Sequence, residues 1–256
     1  MSLEWAAQAV RLERLDSFIP VAPEVAEHRN LLRRTDTKFV ITPGQVPSLL
    51  GALKRHYGIL KAGGASLATY ETLYFDTPGL RCYHDHRRGR RARHKVRIRH
   101  YPDRALSYLE VKTKINASVT LKRRKSKNYR DTSMSPEDWA FVGANTNLAT
   151  DFLSPSLWIG FRRITLVGLE VKERITVDLD VVFRSSDEEY RLPGIVVVEI
   201  KQQPYSARTS SMLALRSAGI RRTSISKYCV GTTISDPDIR SAGLSMMLNR
   251  IESLQP

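Results

Sequence analysis

Apolar and polar residues alternate along much of the chain, a pattern typical of β-strands that bury one face. Successive side chains of a strand point to opposite sides, so the alternation separates an apolar face from a polar one. Clusters of Gly, Pro, Asp and Asn, which are typical of turns, bound the alternating segments. The pattern predicts eight strands, over residues 31–41, 68–75, 93–101, 107–115, 119–125, 157–166, 170–181 and 195–202.

Helical periodicity occurs in fewer segments. Apolar residues at positions i, i+3, i+4 and i+7 predict a helix over residues 46–57. Ser135 followed by Pro136 is typical of a helix start. Further helices are predicted over residues 4–15, 206–218 and 237–254.

Together these elements predict an α+β fold. Eight strands joined mostly by short turns favour an antiparallel sheet or barrel. No repeat, low-complexity segment or long linker divides the chain, so we expect a single domain over residues 1–256. Its core would span about residues 31–230, with peripheral helices at 1–15 and 237–254.

The polar faces of the predicted strands carry a dense and regular set of charges. Arg93, Lys95, Arg97 and Arg99 share one face of their strand. Like charges this close together are tolerated only if water screens them or an anion lies across them. The same alternation recurs in Glu110-Val111-Lys112-Thr113-Lys114 and in Glu199-Ile200-Lys201.

Two architectures accommodate such strands. In the first, the apolar faces pack together or beneath helices, and solvent wets each charged face. In the second, the sheet closes into a barrel whose charged faces line a polar tunnel. The pattern recurs in five or six strands, and an ordinary solvated face would also contain Ser, Thr, Gln and Asn. We therefore expect an eight-stranded antiparallel β-barrel tunnel with helices packed on the outside.

The overall charge restricts the class of partner. The chain has 41 Lys and Arg against 26 Asp and Glu, a formal charge of +15. This balance indicates a polyanionic partner, which could be nucleic acid, an anionic membrane surface or a phosphate-rich ligand. Cys82 and Cys229 are too few for a disulfide framework, so we expect the cytoplasm. No stretch approaches the roughly 18 apolar residues of a membrane-spanning helix.

Nine short motifs occur in order between about residues 31 and 230: Lys38-Phe39, Tyr74-Phe75-Asp76-Thr77, Arg97-Ile98-Arg99-His100-Tyr101, Leu109-Glu110-Val111-Lys112-Thr113-Lys114, Lys122-Arg123-Arg124-Lys125, Arg162-Arg163, Arg174-Ile175-Thr176-Val177-Asp178, Val198-Glu199-Ile200-Lys201 and Ser226-Lys227-Tyr228. Their order resembles the VTC domain, the polyphosphate polymerase domain of the vacuolar transporter chaperone complex. That domain lies in the triphosphate tunnel metalloenzyme, or CYTH-like, superfamily. We expect a stand-alone bacterial member.

The resemblance implies an eight-stranded tunnel that binds triphosphate groups together with Mn²⁺ or Mg²⁺. Arginine suits this role because its planar fork grips two phosphate oxygens, whereas lysine supplies a point charge. Among the matched cations, Lys125 fits loosely and Lys122 fits almost as well. The implied phosphate-binding residues are Lys38, Arg97, Arg99, Lys112, Lys125, Arg163, Arg174, Lys201, Ser226 and Lys227.

The resemblance also implies a catalytic set. Phosphoryl transfer requires positioned phosphates and neutralised charge more than covalent participation by the protein. Glu199 is implied as the metal ligand, helped by Glu110. The superfamily signature Glu-x-Glu-x-Lys reads Arg34-x-Asp36-x-Lys38 here, so we expect one metal ion instead of two. The implied catalytic residues are Lys38, Arg97, Arg99, Lys112, Arg163, Arg174 and Glu199.

Simpler interpretations of the same residues stay open. The arginines could be surface charge only, and Asp178 and Asp180 could orient cations or bind metal. The histidines lack metal-ligand spacing, and we expect them in a polar loop or on outer faces. The basic segment 86–91 could be a tunnel-mouth funnel, a nucleic-acid patch or a solubilising loop. Three lysines could form structural ion pairs: Lys38, Lys112 and Lys201 with Asp36, Glu110 and Glu199.

The favoured function is metal-dependent phosphoryl transfer on ATP, tripolyphosphate or inorganic polyphosphate. The protein would be a polymerase if the terminal phosphate of ATP joins a growing chain, and a triphosphatase if water receives it. The alternatives are a non-catalytic polyphosphate-binding module and, less favoured, a nucleic-acid-binding protein. Nucleic-acid readers present aromatic stacking platforms among their basic residues. Aromatic residues are sparse among these charges, so nucleic acid is not expected as the primary ligand.

Overall fold

The computed structural model describes residues 15–22, 35–115, 120–185, 188–192, 194–236 and 239. Within these residues the fold is α+β, a mostly antiparallel sheet with five α-helices. The strands are β1 (Pro20–Val21), β2 (Thr35–Ile41), β3 (Tyr57–Leu60), β4 (Leu67–Asp76), β5 (Arg93–Tyr101), β6 (Leu106–Lys114), β7 (Thr120–Lys127), β8 (Ser154–Gly168), β9 (Glu173–Ser185), β10 (Glu188–Arg191) and β11 (Val196–Gln202).

The helices cover the outer face of the sheet and part of its concave side. Helix α3 begins at Ser135 through a capping box, in which the Ser135 hydroxyl accepts from the backbone N–H of Asp138 at 3.3 Å. Single 3₁₀ turns occupy Pro43–Gln45, Pro102–Arg104 and Thr150–Phe152. The α-helices are α1 (Val46–Leu53), α2 (Arg81–Arg87), α3 (Pro136–Asn145), α4 (Ser210–Ser217) and α5 (Lys227–Ser235).

Eight strands form one continuous hydrogen-bonded path, in the order β2-β11-β9-β8-β4-β5-β6-β7. Strands β1, β3 and β10 pair at its margins, so the sheet has eleven strands. The path is open, because no ladder of the described residues joins β2 to β7. The predicted closed barrel of eight strands is therefore not observed as such. The three additional strands are two to four residues long, too short for an alternation to be visible in the sequence.

The ladder registers place one set of side chains on a common face, which we call the inner face. For example, Lys38 lies opposite Glu199, Arg163 opposite Asp178, and Arg97 opposite Glu110. The inner face comprises Asp36, Lys38, Val197, Glu199, Lys201, Arg174, Thr176, Asp178, Arg163, Phe161, Tyr70, Thr72, Tyr74, Lys95, Arg97, Arg99, Tyr101, Tyr108, Glu110, Lys112, Lys122 and Arg124.

A bulge modifies this face. Asp180 has a positive φ of 52°, and the β8–β9 register shifts between Gly160 and Arg162. A bulge inserts one residue and reverses the alternation beyond it. The inner face consequently changes from charged at Asp178 to apolar at Phe183. Helix α5 packs closely there, since a Cβ added at Gly231 would clash with the Phe183 ring.

The sheet is strongly curved around the inner face. The ammonium group of Lys38 donates to the backbone oxygen of Ile225 at 2.8 Å, and that of Lys95 donates to the hydroxyl of the next residue, Ser226, at 2.9 Å. Lys38 is on β2 and Lys95 on β5, with four strands between them in the path. In a flat sheet those strands would be about 24 Å apart, at about 4.8 Å per strand. The curvature therefore brings distant strands together at the start of α5.

The outer face is apolar and covered. One buried cluster joins α1 and α4 to strands β2, β8, β9 and β11, and includes Phe39, Leu50 and Val198. A second cluster joins β4, β5 and β6 to α3, where Phe75 meets Trp139 edge to face at 6.1 Å between ring centroids. Most charged residues of the long strands therefore lie on the concave side.

Some predicted elements differ from those observed. The helix predicted over 46–57 ends at Leu53, because Tyr57 begins β3. Residues 84–86, expected in a polar loop, lie in α2, and α5 was not predicted. Helix α5 contains Val230, Thr232 and Ile234, β-branched residues with low helix propensity. The helices predicted over 4–15 and 237–254 lie almost entirely outside the described residues. No helix in the described ranges is long and apolar enough to cross a membrane.

Candidate functional site

Glu110 holds two inner-face cations. It is fully buried, and one carboxylate oxygen accepts from Nε and Nη2 of Arg97 at 2.8 and 2.7 Å. Its other oxygen forms an ion pair with Lys122. Burial alone would raise the pKa of Glu110, but the charges of Arg97, Arg99 and Lys122 hold it well below the ordinary value. Because cations occupy both oxygens, Glu110 positions Arg97 and Lys122, and its role as a helper of the metal ligand stays a prediction.

Asp178 has the same role on the other side of the site. Its carboxylate accepts from Nε and Nη2 of Arg163 at 2.5 and 2.8 Å, and it also forms an ion pair with Lys227. Burial raises the pKa of Asp178, yet Arg163 and Lys227 bring it down to about 2. Arg163 and Lys227, both predicted phosphate-binding residues, are thus held by one buried carboxylate.

Arg99 has no such partner. Only 8% of Arg99 is exposed, and its Nε donates to the hydroxyl of Thr72 at 3.0 Å. The guanidinium carbon lies 5.6 and 5.8 Å from the ring centroids of Tyr70 and Phe161. Among the described residues, no carboxylate lies within ion-pair distance of Arg99. Within the part of the chain that the structure describes, neither terminal nitrogen of Arg99 has a bonded acceptor.

Three lysines surround the start of α5. Lys38 and Lys95 bind neutral oxygens there, and burial lowers the pKa of Lys95, as do the charges of Lys38 and Arg97. Burial also lowers the pKa of Lys112 to about 8, although Glu199 opposes that shift. Ser226 caps α5, with its hydroxyl 3.3 Å from the backbone N–H of Cys229.

His86 lies near these lysines. Helix α2 places it where burial, Lys95 and Arg93 lower its pKa to about 3, so it is neutral at physiological pH. The expectation of a surface loop at this position is therefore corrected.

The two cysteines, Cys82 and Cys229, are free and buried.

Glu199 is the predicted metal ligand. It forms an ion pair with Lys201, which is 6% exposed, and it lies opposite Lys38 in the ladder. Burial would raise the pKa of Glu199, but Lys201 and Lys38 hold it well below the ordinary value, so the carboxylate is ionised. Within the described ranges, no group of three or more His, Cys, Asp or Glu side chains is arranged to hold a metal. A divalent cation fits here only if ligand oxygens complete its shell around one carboxylate, which is normal for Mg²⁺ bound to phosphates.

The remaining predicted residues divide between the two faces. Arg174 is on the inner face, opposite Lys201. Lys125 is on the outer face, where it pairs with Asp138 of α3 at 2.8 Å, so it is separated from the other predicted cations. In the β6–β7 ladder Lys112 lies opposite Lys122, so Lys122 is on the inner face. Asp180 pairs with Arg162 at 2.6 Å beside the bulge.

Aromatic rings gather beside Arg99 on the inner face, although they are scattered in the sequence. Tyr70 stacks on Phe161 with centroids 5.1 Å apart and meets Tyr101 edge to face at 5.2 Å. Tyr101 in turn meets Tyr108 at 5.9 Å. These four rings, called the aromatic group below, come from strands β4, β5, β6 and β8, so only the sheet order reveals them.

The predicted phosphate-binding set left out two members of the site, Lys95 and Tyr74, and it named Lys122 only as an alternative to Lys125. Lys95 has the same alternation as Arg97 and could have been included on that ground. Lys122 required the β6–β7 register. Tyr74 hydrogen-bonds to Arg97 at 2.9 Å, a contact that depends on the β4–β5 pairing.

With this geometry established, comparison with known families is informative. The VTC domain profile matches residues 33–235, and the chain belongs to the VTC domain family. The predicted family is therefore confirmed. A search of curated proteins gives no significant match.

Several solved structures are similar to the chain at low sequence identity. A proposed adenylate cyclase from Bacillus halodurans is 11% identical with a TM-score of 0.49, over 75% of this chain and 92% of that one. A proposed adenylyl cyclase from Hippeastrum, described as having a dominant triphosphatase activity, is 15% identical with a TM-score of 0.46, over 78% and 96%. A proposed adenylate cyclase from Vibrio parahaemolyticus is 11% identical with a TM-score of 0.44, over 77% and 97%.

Proposed function

We propose that the inner face binds a triphosphate or polyphosphate chain and that the protein catalyses metal-dependent phosphoryl transfer on it. The observation that carries this proposal is Arg99, a buried cation with no carboxylate within ion-pair distance among the described residues. Burying a charge without a partner is strongly unfavourable. Lys38 and Lys95, bound only to neutral oxygens, add to the same excess. An elongated anion along the inner face supplies the missing negative charge.

We further propose that the curved sheet encloses this ligand as a tunnel. Support comes from the convergence of Lys38 and Lys95 on two consecutive residues, across four intervening strands. An enclosed ligand is shielded from water, so each cation acts on it more strongly than at an open surface. The members of the site proposed to grip phosphate are Lys38, Lys95, Arg97, Arg99, Lys112, Lys122, Arg163, Arg174, Lys201, Ser226 and Lys227.

The proposed chemistry is transfer of a terminal phosphate. A nucleophilic oxygen forms a bond to the terminal phosphorus, the bond from that phosphorus to the bridging oxygen breaks, and the leaving phosphate keeps the electron pair. The nucleophile is the end of a phosphate chain in a polymerase and water in a hydrolase. Arg97 and Arg163, fixed by Glu110 and Asp178, neutralise charge that develops on the phosphate oxygens.

Glu199 would hold the divalent ion, Mn²⁺ or Mg²⁺, together with phosphate oxygens and water. The bound ion would add positive charge at the reacting phosphate. Glu199 lies opposite Lys38 in the ladder, which supports a metal position beside the proposed phosphate path. ATP, tripolyphosphate and inorganic polyphosphate are the proposed ligands, and the cytoplasm stays the predicted location.

A second candidate is a polyphosphate-binding module without turnover. The observation that favours it is that the described residues hold no group of three metal-ligating side chains. Nucleic acid stays the less favoured ligand, since the charged face is concave and α5 lies on the same side of the sheet.

The test incubates the protein with ATP or tripolyphosphate and Mn²⁺ or Mg²⁺, and follows phosphate release and chain length, with EDTA as the metal-free control. Chain growth identifies a polymerase, and phosphate release alone identifies a hydrolase. Binding without either product supports the binding module. Failure of tripolyphosphate to bind at all would overturn the proposal. Competition by a duplex oligonucleotide at matched phosphate concentration would favour nucleic acid instead.

A further inference from the structure

Tyr74 lies at the centre of the inner face. It is 6% exposed and stands opposite Arg97 of β5 in the ladder and opposite Leu157 of β8. Its ring stacks on Tyr228 of α5 with centroids 4.8 Å apart. Its oxygen lies 2.9 Å from Nη1 of Arg97. The hydroxyl is thus fixed inside the cationic site by packing on two sides.

The hydrogen-bonding pattern around this oxygen is one-sided. An arginine guanidinium only donates, so the Tyr74 oxygen accepts from Arg97. Among the described residues, no acceptor is hydrogen-bonded to the Tyr74 hydroxyl. A buried O–H group without an acceptor is unfavourable, whereas a phenolate in the same place has no proton to donate and accepts from Arg97.

The surrounding charges also favour a phenolate. Burial raises the pKa of Tyr74, but the charges of Arg97, Arg99 and Lys95, which share the inner face of β5, overcome that effect and lower the pKa to about 7. From β6, Glu110 binds the opposite edge of Arg97. Strand β8 contributes only the apolar Leu157.

Tyr228, stacked on the same ring, has the opposite environment. Its hydroxyl donates to the carboxylate of Asp76 at 2.5 Å. Burial and the charge of Asp76 raise the pKa of Tyr228. Two tyrosines in contact therefore have opposite electrostatic environments, cationic at Tyr74 and anionic at Tyr228.

We propose that Tyr74 is the countercharge of the ligand-free site, a phenolate that takes up one proton from solvent when a phosphate chain binds. The protonated hydroxyl then donates to a phosphate oxygen, which is the acceptor that the free protein lacks. This inference rests on the proposed phosphate binding. It makes Tyr74 a residue that couples binding to pH. Because binding consumes a proton, affinity declines as pH rises above about 7, by up to about tenfold per pH unit.

Two measurements test the inference. The first is the phenolate absorbance of the ligand-free protein, titrated between pH 6 and 9, with the Tyr74→Phe variant subtracted. We expect one phenolate to form near pH 7 in the wild type and not in the variant. The matched control is Tyr129→Phe, since Tyr129 also accepts from an arginine, at 3.3 Å, but is 38% exposed. An unchanged titration in Tyr74→Phe would overturn the inference whether or not a ligand binds.

The second measurement is calorimetric binding of metal-free tripolyphosphate at pH 8 in two buffers of different ionisation enthalpy. We expect the wild type and Tyr129→Phe to take up about one proton more than Tyr74→Phe. Comparing the proteins cancels the protons that the ligand itself gains or loses, because that contribution is the same in each. Binding with equal proton uptake in all three proteins would overturn this inference alone. Absence of binding in all three would overturn the proposed function and this inference with it.

Discussion

Lys122 and Lys125 lie three residues apart on β7 and point to opposite faces of the sheet. Lys122 forms an ion pair with Glu110 on the inner face, and Lys125 pairs with Asp138 of α3 on the outer face at 2.8 Å. The β6–β7 register sets this division, because Lys112 lies directly opposite Lys122. The pair therefore offers two similar charges, of which only one is placed to meet a ligand.

Replacing each lysine by glutamine tests that division. We expect Lys122→Gln to weaken tripolyphosphate binding about tenfold, since a charge-assisted hydrogen bond to phosphate contributes about 1.5 kcal/mol or more. Lys125→Gln removes the same charge from the protein and leaves affinity within about twofold. Isothermal titration at constant salt measures both. Equal losses in the two variants would show that binding depends on net charge and not on the inner face.

Asp178→Asn tests whether the Asp178 carboxylate stabilises the ligand-free protein by neutralising nearby cations. The substitution leaves Arg163 and Lys227 half-buried without that carboxylate, so we expect a loss of about 3 kcal/mol in the free energy of unfolding. Tripolyphosphate should restore more stability to this variant than to the wild type, because the ligand replaces the lost negative charge. Thermal unfolding with and without ligand measures the difference. A smaller ligand-induced rise in Tm in the variant would contradict a phosphate lying beside Arg163.

The same carboxylate predicts an acid transition. The pKa of Asp178 is lowered to about 2 in the folded protein, from 3.8. A group whose pKa is depressed by folding contributes stability that is complete above its unfolded pKa and is lost as pH falls through the folded one. We expect about 2 kcal/mol to disappear between pH 4 and pH 2. Urea unfolding across this range should show the free energy of unfolding of the wild type falling toward that of Asp178→Asn as pH falls. A constant difference between the two proteins at every pH would refute the lowered pKa of Asp178.

The sequence predicts the long strands and most charged positions of the site, because alternation over seven or more residues reports directly which face a side chain joins. It does not predict β1, β3 and β10, which are too short, or α5, whose β-branched residues obscure its helical character. Convergence of Lys38 and Lys95 depends on curvature summed over the sheet, which no local pattern encodes. The bulge at Asp180 likewise reverses a face that simple alternation would extend.

The aromatic group provides a way to distinguish a nucleotide from an inorganic phosphate chain. Tyr108 lies at its edge, next to Tyr101, with the Arg124 guanidinium carbon 4.8 Å from the Tyr108 ring centroid. If a nucleobase stacks here, Tyr108→Ala should weaken ATP binding about tenfold, in line with about 1–3 kcal/mol for base–aromatic stacking. Tripolyphosphate affinity should stay the same. Tyr205→Ala, at a tyrosine 49% exposed and outside the site, is the control. Equal losses for both ligands would place Tyr108 on the phosphate path instead.

Glu199→Gln separates metal binding from phosphate binding. The substitution removes the carboxylate proposed to hold the divalent ion and leaves a side chain of the same size. We expect metal-dependent turnover to fall at least 100-fold, while metal-free tripolyphosphate binds as tightly or more tightly, because a negative charge has left a cationic site.

The matched control for Glu199 is Glu189→Gln. Both glutamates pair with a cation two residues along their strand, Glu199 with Lys201 and Glu189 with Arg191, but Glu189 is exposed on β10. Turnover and metal affinity should be unchanged in this variant. If Glu199→Gln retained full metal-dependent activity, Glu199 would be limited to a structural pair with Lys201, and the ion would have to be held by the ligand alone. If the variant lost metal-free phosphate binding as well, the ion pair with Lys201 would be required to shape the phosphate path itself.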